Sequence, residues 1–154
     1  MNEKNKISAP DLTRRPPRSP RCHLGGLVTL PRLLDKARAT IAGTNGEFKF
    51  GTSFDQHVMK FLGFDAAALQ EELATDKGDG EILEWIMSHA QHKREPWEIE
   101  QWSDYMIRRS PESDQETQRF FRTRVGAFTK TREDIRTYMD LLDLDDLVTF
   151  GGKP

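Results

Sequence analysis

From residue 30 onward, apolar residues recur at intervals of three and four positions, the spacing of one helical face. The first such segment lies between Pro31 and Gly43. Proline suits a first helical turn and glycine suits the position after a last turn, so these residues mark both ends. No alternating β-branched run is long enough for a sheet. The sequence therefore predicts an all-α fold, a single compact domain of about six or seven helices around one core.

The other helical segments carry their own start and stop signals. Thr52 or Ser53 can cap a helix that ends at Gly63, and Asp65 can cap the next one. The last helix is predicted to break near its clustered aspartates. The remaining helices are predicted to begin at Asp79 as a cap, at Glu95–Pro96, at the capping pattern Ser113–Glu116 and at Thr131–Asp134, with the break beside Asp145 and Asp146.

Composition narrows the class of protein. A chain of 154 residues, 36% hydrophobic and 31% charged, suits one globular domain. No stretch approaches the length of about 18 apolar residues that a membrane span needs, and the first residues lack the apolar core of a signal peptide. The single cysteine, Cys22, cannot form an internal disulfide, which agrees with a reducing compartment. These features predict a cytoplasmic protein that does not enter a membrane.

The net charge of −2 hides a strong asymmetry. Residues 1–38 carry nine Lys and Arg against three acidic residues, so the rest of the chain is strongly acidic. The basic part includes "RRPPRSPR", whose prolines fix φ and push the preceding residues toward extended conformations. We therefore predict a disordered lead over residues 1–10 and a helical domain over 11–154, of which 11–29 form an extended segment, the strap.

The cations of the strap and of the first helix form the candidate binding site. Guanidinium groups bind phosphate or carboxylate bidentately, so these side chains could converge on one small anion. We expect the cations of the first helix to lie on its outer face, opposite the apolar stripe. No cofactor and no metal are predicted. The candidate ligand-binding residues are Arg15, Arg18, Arg21, Arg32 and Lys36.

The same residues admit other interpretations. The strap could be a structural belt whose arginines pair with carboxylates of the acidic body, or it could hold an acidic partner surface. An enzyme could place its site between strap and body, with Asp35 or Asp55 as acid/base and the arginines polarising a phosphorylated or carboxylated substrate. Nucleic acid is not favoured, because no nucleic-acid-binding signature accompanies the charge and the acidic body would repel a polyanion.

Four other patterns favour structure over chemistry. The acidic loop Asp76–Glu81 does not fit a calcium loop, because glycines occupy the alternate positions where ligands are needed. His89 and His92 share a helical face but have no identified third metal ligand. The aspartates of Asp140–Leu147 fit caps and partners for arginine. The tryptophans and phenylalanines lie at helical spacing, which is typical of a core.

Several long stretches resemble a known family. "DLTRRPPRSPRCHLGG", "LPRLLDKARA", "AGTNGEF" and "FDQHVMKFLGFD" resemble DUF5069, a domain-of-unknown-function family of bacterial proteins of about this length. The resemblance runs from Asp11 through the rest of the chain and is weakest in the C-terminal half. It implies a small single-domain bacterial protein whose signature coincides with the strap. It assigns no activity and no catalytic residue.

Overall fold

A computed structural model describes residues 6–112 and 115–154 and contains, over these ranges, seven α-helices and one two-stranded hairpin. The mostly α-helical fold predicted from the sequence is confirmed. The predicted cap at Ser113 lies outside the described residues. The elements are β1 (His23–Leu24), β2 (Leu27–Val28), α1 (Leu30–Ala42), α2 (Ser53–Leu62), α3 (Ala66–Leu73), α4 (Asp79–His89), α5 (Pro96–Arg108), α6 (Gln115–Phe128) and α7 (Tyr138–Thr149).

The strap ends in the hairpin. Strand β1 pairs antiparallel with β2, with His23 opposite Val28. Gly25 and Gly26 form the turn with φ of 61° and 79°, the left-handed conformations that a two-residue hairpin turn requires. A side chain at Gly25 would also collide with Leu83. The hairpin packs on α5 and directs the chain into α1.

Helix α1 lies at the centre of the molecule. Its leucines and Ala37 are fully buried and form the core together with apolar residues of α2, α3 and α4. The expectation that its cations face outward was wrong, because Arg32 and Lys36 are each only 5% exposed. Asp35 and Arg38 are buried as well. Buried charges need partners, and each of these four side chains has an ion pair with a residue outside α1.

The predicted starts of α2, α3, α4 and α5 are confirmed. Thr52 is the N-cap of α2, and the carboxylate of Asp65 accepts the Ala68 N–H at 2.9 Å to cap α3. The prediction that Asp79 caps α4 was wrong, because Gly78 occupies the cap position. Asp79 is the first helical residue and its carboxylate binds arginine side chains instead.

Helix α7 differs from its prediction at both ends. It begins at Tyr138 rather than within 131–134, because Thr137 and Asp140 form a capping box. The Thr137 hydroxyl accepts the Asp140 N–H at 3.1 Å, and the Asp140 carboxylate accepts the Thr137 N–H at 2.9 Å. The helix runs to Thr149 without the predicted break at Asp145 and Asp146. Within the described ranges, no helix is both long and apolar enough to cross a membrane.

Thr29, at the N-cap of α1, has an unusual backbone. Its φ is 70°, in the left-handed region that β-branched residues avoid. The residue is 1% exposed, and its hydroxyl has no hydrogen-bond partner among the residues that the structure describes. Strain and an unsatisfied buried hydroxyl therefore coincide where the hairpin joins α1.

Replacing Thr29 by glycine is expected to stabilise the protein by about 1 kcal/mol, because relief of the left-handed strain and removal of the hydroxyl outweigh the extra freedom of the unfolded chain. Urea unfolding followed by circular dichroism measures the difference. Thr29→Ser keeps both the strain and the hydroxyl and should give no gain. A glycine variant less stable than the parent would mean that the lost methyl contacts dominate.

Candidate functional site

The strap and residues 8–10 before it are attached to the helical body. The Ser8 N–H donates to the Asp76 carboxylate at 2.7 Å, and the Pro10 carbonyl accepts the Thr44 hydroxyl at 2.9 Å. Leu12 is 2% exposed, and its N–H donates to the Thr44 carbonyl at 2.8 Å. The part of the predicted lead from Ser8 onward therefore contacts the body. Residues 1–5 lie outside the described residues.

Arg18 is the centre of an ion-pair network. Its Nε and Nη2 lie 2.9–3.2 Å from the Asp35 carboxylate, and its Nη1 lies 2.7 Å from Asp79. Arg38 of α1 binds the other oxygen of Asp79 at 2.6 Å. Although burial opposes charge at Asp79, the hydrogen bonds from the two arginines hold the pKa of this carboxyl below its usual value. The network joins the strap to α1 and to the start of α4.

A cavity of about 560 Å³ opens beside this network. We call it the strap cavity; its walls are the strap, α1 and the N-terminal end of α4. Arg18, Arg38 and Asp79 line one part of it, and Lys77 and Asp76 line another. Its charged lining also includes Arg15, which is exposed. The Arg15 guanidinium forms no hydrogen bond or ion pair within the described part of the chain.

Arg21 points elsewhere and fastens the strap to α7. Its Nη2 pairs with Asp140, and its Nε lies 3.1 Å from Asp143. The Ser19 hydroxyl donates to the other oxygen of Asp143 at 2.8 Å. Arg18 and Arg21 thus contact carboxylates of the helical body, which is the arrangement that the belt hypothesis predicts. Arg14 is exposed and forms no side-chain hydrogen bond or ion pair among the described residues.

A second cavity, of about 400 Å³, lies between α1, α2 and α7, and we call it the Lys36 cavity. Arg32 and Lys36 contribute to it from successive turns of α1. Arg32 holds the Asp146 carboxylate with both Nη atoms, at 2.7 and 3.1 Å. The Nζ of Lys36 lies 2.8 Å from Oδ1 of Asp55, and these two side chains are only 7% and 2% exposed.

Burial shifts two pKa values around the Lys36 cavity. Desolvation lowers the pKa of Lys36, and the charge of Arg32 adds to this, although Asp55 works in the opposite direction. Desolvation also raises the pKa of Asp146, helped by the nearby Asp143 and opposed by Arg32. Compared with the same groups in water, Lys36 therefore loses its proton more easily and Asp146 keeps its proton more easily.

The chain is similar to a known protein family. The sequence profile described as a domain of unknown function, DUF5069, matches residues 14–148, which is most of the chain. The chain belongs to the DUF5069 family. No curated protein matches the chain. The DUF5069 match includes the cations of both cavities, from Arg15 to Lys36, and the carboxylates that bind them, up to Asp146.

The structure separates the five predicted binding residues. Arg15 and Arg18 line the strap cavity, while Arg32 and Lys36 line the Lys36 cavity on another face of α1. Arg21 belongs to neither lining and pairs with α7. The five side chains therefore do not converge on one anion.

Sequence reasoning did not assign Lys77 or Asp79 to a site. It counted Arg38 among the cations of the first helix and expected the aspartates of Asp140–Leu147 to partner arginines. The opposite charge of the two halves of the chain predicts that pairs form but does not say which ones.

The carboxylates proposed as acid/base groups are already engaged. Asp35 holds Arg18, and the oxygens of Asp55 accept from Lys36 and from the backbone N–H groups of Gly51 and Thr52, at 2.9 and 3.2 Å. Both carboxylates are therefore held in ion pairs at rest, Asp35 with Arg18 and Asp55 with Lys36.

The contacts of the remaining candidates, the histidines and the tryptophans, indicate structural roles. His89 stacks on Trp85 with ring centroids 4.5 Å apart, and its Nδ1 lies 2.9 Å from the Trp85 carbonyl oxygen. Within the described ranges, no three His, Cys, Asp or Glu side chains are grouped in a way that could hold a metal ion. Trp85 and Trp102 pack against the core as predicted, but Trp97 does not, because it is 59% exposed on α5.

Proposed function

We propose that this protein is a binding or regulatory protein that holds a small phosphorylated or carboxylated ligand in the strap cavity. The observation that carries the proposal is Arg15, a cation on the cavity lining whose guanidinium forms no hydrogen bond or ion pair in the described chain. Every other arginine of this cavity is already paired with a carboxylate. The proposal includes the cytoplasmic location expected from the sequence.

The strap cavity is prepared for an anion before one binds. The Arg15 N–H donates to the Asp11 carbonyl at 3.3 Å, and Pro16 and Pro17 follow, so the backbone that carries the guanidinium is stiff. Arg18 and Arg38 are fixed by Asp35 and Asp79 and have more N–H donors than these contacts use. Holding donors in place lowers the entropy cost of binding.

Size and charge restrict the ligand further. A volume of about 560 Å³ is in the range of sites for small molecules. Four cations and three carboxylates line the strap cavity, and Lys77 is itself paired with Glu72. Asp76 is the carboxylate without an ion pair in the described chain, and it accepts only the Ser8 N–H. A ligand that carries hydroxyl or amino donors beside its anionic group, such as a sugar phosphate or a hydroxy acid, fits both Arg15 and Asp76.

Thermal unfolding with a panel of nucleotides, sugar phosphates and dicarboxylates tests the proposal. A ligand at about a hundred times its dissociation constant should stabilise the native state by about 2.7 kcal/mol. That corresponds to a rise in Tm of several degrees. Arg15→Ala should abolish the rise because it removes the unpaired cation.

Arg14→Ala is the matched control, because Arg14 is an adjacent exposed arginine that does not line the strap cavity. This variant should keep the full rise in Tm. Equal loss in the two variants would indicate unspecific attraction to the strap. No rise beyond that of sodium chloride at equal ionic strength would refute anion binding. A rise with oligonucleotides alone would replace it with the nucleic-acid interpretation.

A further inference from the structure

The Lys36 cavity contains a combination of groups that stability alone does not require. Lys36 lines the cavity, and its ammonium group is buried with a single carboxylate partner, Asp55. The Lys36 Nζ makes no other hydrogen bond or ion pair with the described residues. An ammonium has three donors, so two N–H groups remain to bind a molecule in the cavity.

The walls of the Lys36 cavity are partly apolar. Phe48, Phe54 and Leu142 supply hydrocarbon surface. The ring of Phe48 stacks on Phe150 with centroids 6.2 Å apart, and Arg32 lies over Phe48 at 5.8 Å from its centroid. These contacts hold the Phe48 ring in place, so the cavity has a fixed apolar surface beside its charged groups. An organic ligand with an apolar body suits this surface better than a bare anion does.

We propose that Lys36 is a reactive amine that forms a Schiff base with a small aldehyde or ketone bound against Phe48 and Phe54. Buried lysines next to other cationic groups act as nucleophiles toward carbonyl compounds in this way. Arg32, one turn before Lys36, is the neighbouring cation. Burial shifts the pKa of Lys36 downward, which increases the share of neutral amine.

The reaction balances without an outside oxidant or reductant. The Lys36 ammonium gives one proton to solvent, and the neutral nitrogen attacks the carbonyl carbon. The carbonyl oxygen becomes a hydroxyl and leaves as water when the C–N double bond forms. The iminium nitrogen keeps the positive charge of the original ammonium, so its pair with Asp55 persists. The proton that lets the hydroxyl leave as water comes from solvent, because Asp146 on the same cavity wall is a carboxylate held by Arg32.

Reductive trapping tests the inference. The full chain is incubated at neutral pH with benzaldehyde and sodium cyanoborohydride, which reduces an iminium to a stable benzyl amine. Peptide mass spectrometry then gives the rate of benzylation at each lysine. Lys36 should react several-fold faster than Lys60 and Lys153, which are both exposed and lie outside the cavity lining. The advantage should disappear when the chain is unfolded in urea.

A structural ammonium would behave in the opposite way. If the exposed lysines react faster than Lys36 in the native state, the inference is overturned. Lys36→Arg should abolish the benzylated Lys36 peptide and leave the rate at Lys60 unchanged, after circular dichroism has shown that the variant is folded. An unchanged yield of total benzylation in Lys36→Arg would show that Lys36 is not the reactive amine and would overturn the inference. The result does not depend on Arg15, so this inference and the proposed anion site stand or fall separately.

Discussion

Replacing Asp55 by alanine is expected to destabilise the protein by about 3 to 5 kcal/mol, the largest effect of any single substitution described here. Asp55 and Lys36 are almost completely buried and lie 2.8 Å apart, so the change leaves an ammonium in the interior without its counter-charge. The same carboxylate also accepts the backbone N–H groups of Gly51 and Thr52 at the start of α2. Since domains of this size are stable by about 5 to 15 kcal/mol, this is a large share of the total.

Urea unfolding of Asp55→Ala gives the measurement, and Asp65→Ala is its control. Asp65 caps α3 but is exposed, so its loss should cost only about 1 kcal/mol. A double variant with Lys36→Met and Asp55→Leu should recover much of the loss, because apolar residues can replace a buried ion pair at little cost. Equal effects of Asp55→Ala and Asp65→Ala would contradict the assignment of a buried pair.

Removing residues 1–21 is expected to cost about 3 to 5 kcal/mol and to lower the Tm sharply. The deletion removes the buried Leu12 and leaves Asp35, whose side chain is only 12% exposed, without Arg18. It also frees Asp140 and Asp143 of α7 from Arg21. The exposed fraction of the Arg18 and Arg21 side chains is 40%, so their pairs contribute modestly and the burial of Leu12 contributes strongly.

Removing residues 1–7 is the matched control for this deletion. It keeps the contacts of Ser8 and Pro10 with Asp76 and Thr44, so the Tm should stay close to that of the full chain. Scanning calorimetry of both truncated chains gives the two Tm values to compare with that of the full chain. A chain without residues 1–21 that is as stable and as helical as the full chain would exclude a structural role for the strap.

The helices could be predicted because their signals are local. Apolar spacing, Pro31 and Gly43 define α1, and Asp65 defines the start of α3, without knowledge of the rest of the chain. The errors arose where a distant partner decides the outcome. Aspartate is a residue type that often caps helices, but Arg18 and Arg38 bind the Asp79 carboxylate and Gly78 takes the cap position.

The candidate site could be predicted only in part for the same reason. The strap was identified from its charge and prolines, and two of its arginines do contact the acidic body. Helical spacing separates apolar from charged positions on α1, but it cannot show that the charged positions are buried too. Arg32 is enclosed because Asp146 of α7 pairs with it, and Lys36 is enclosed because Asp55 of α2 pairs with it. Asp55 and Asp146 are far apart in the sequence.

The long separation of these partners has a consequence for protein synthesis. A chain emerges from the ribosome N-terminus first, and Arg32 meets Asp146 across 114 residues of sequence, while Arg21 meets Asp143 across 122. Until α7 has been made, the central helix carries a guanidinium that has no counter-charge and cannot be enclosed without a large cost. A nascent chain interrupted before Tyr138 should therefore remain open to proteases. Arg21 and Arg32 can pair with their aspartates only after the last helix has been translated.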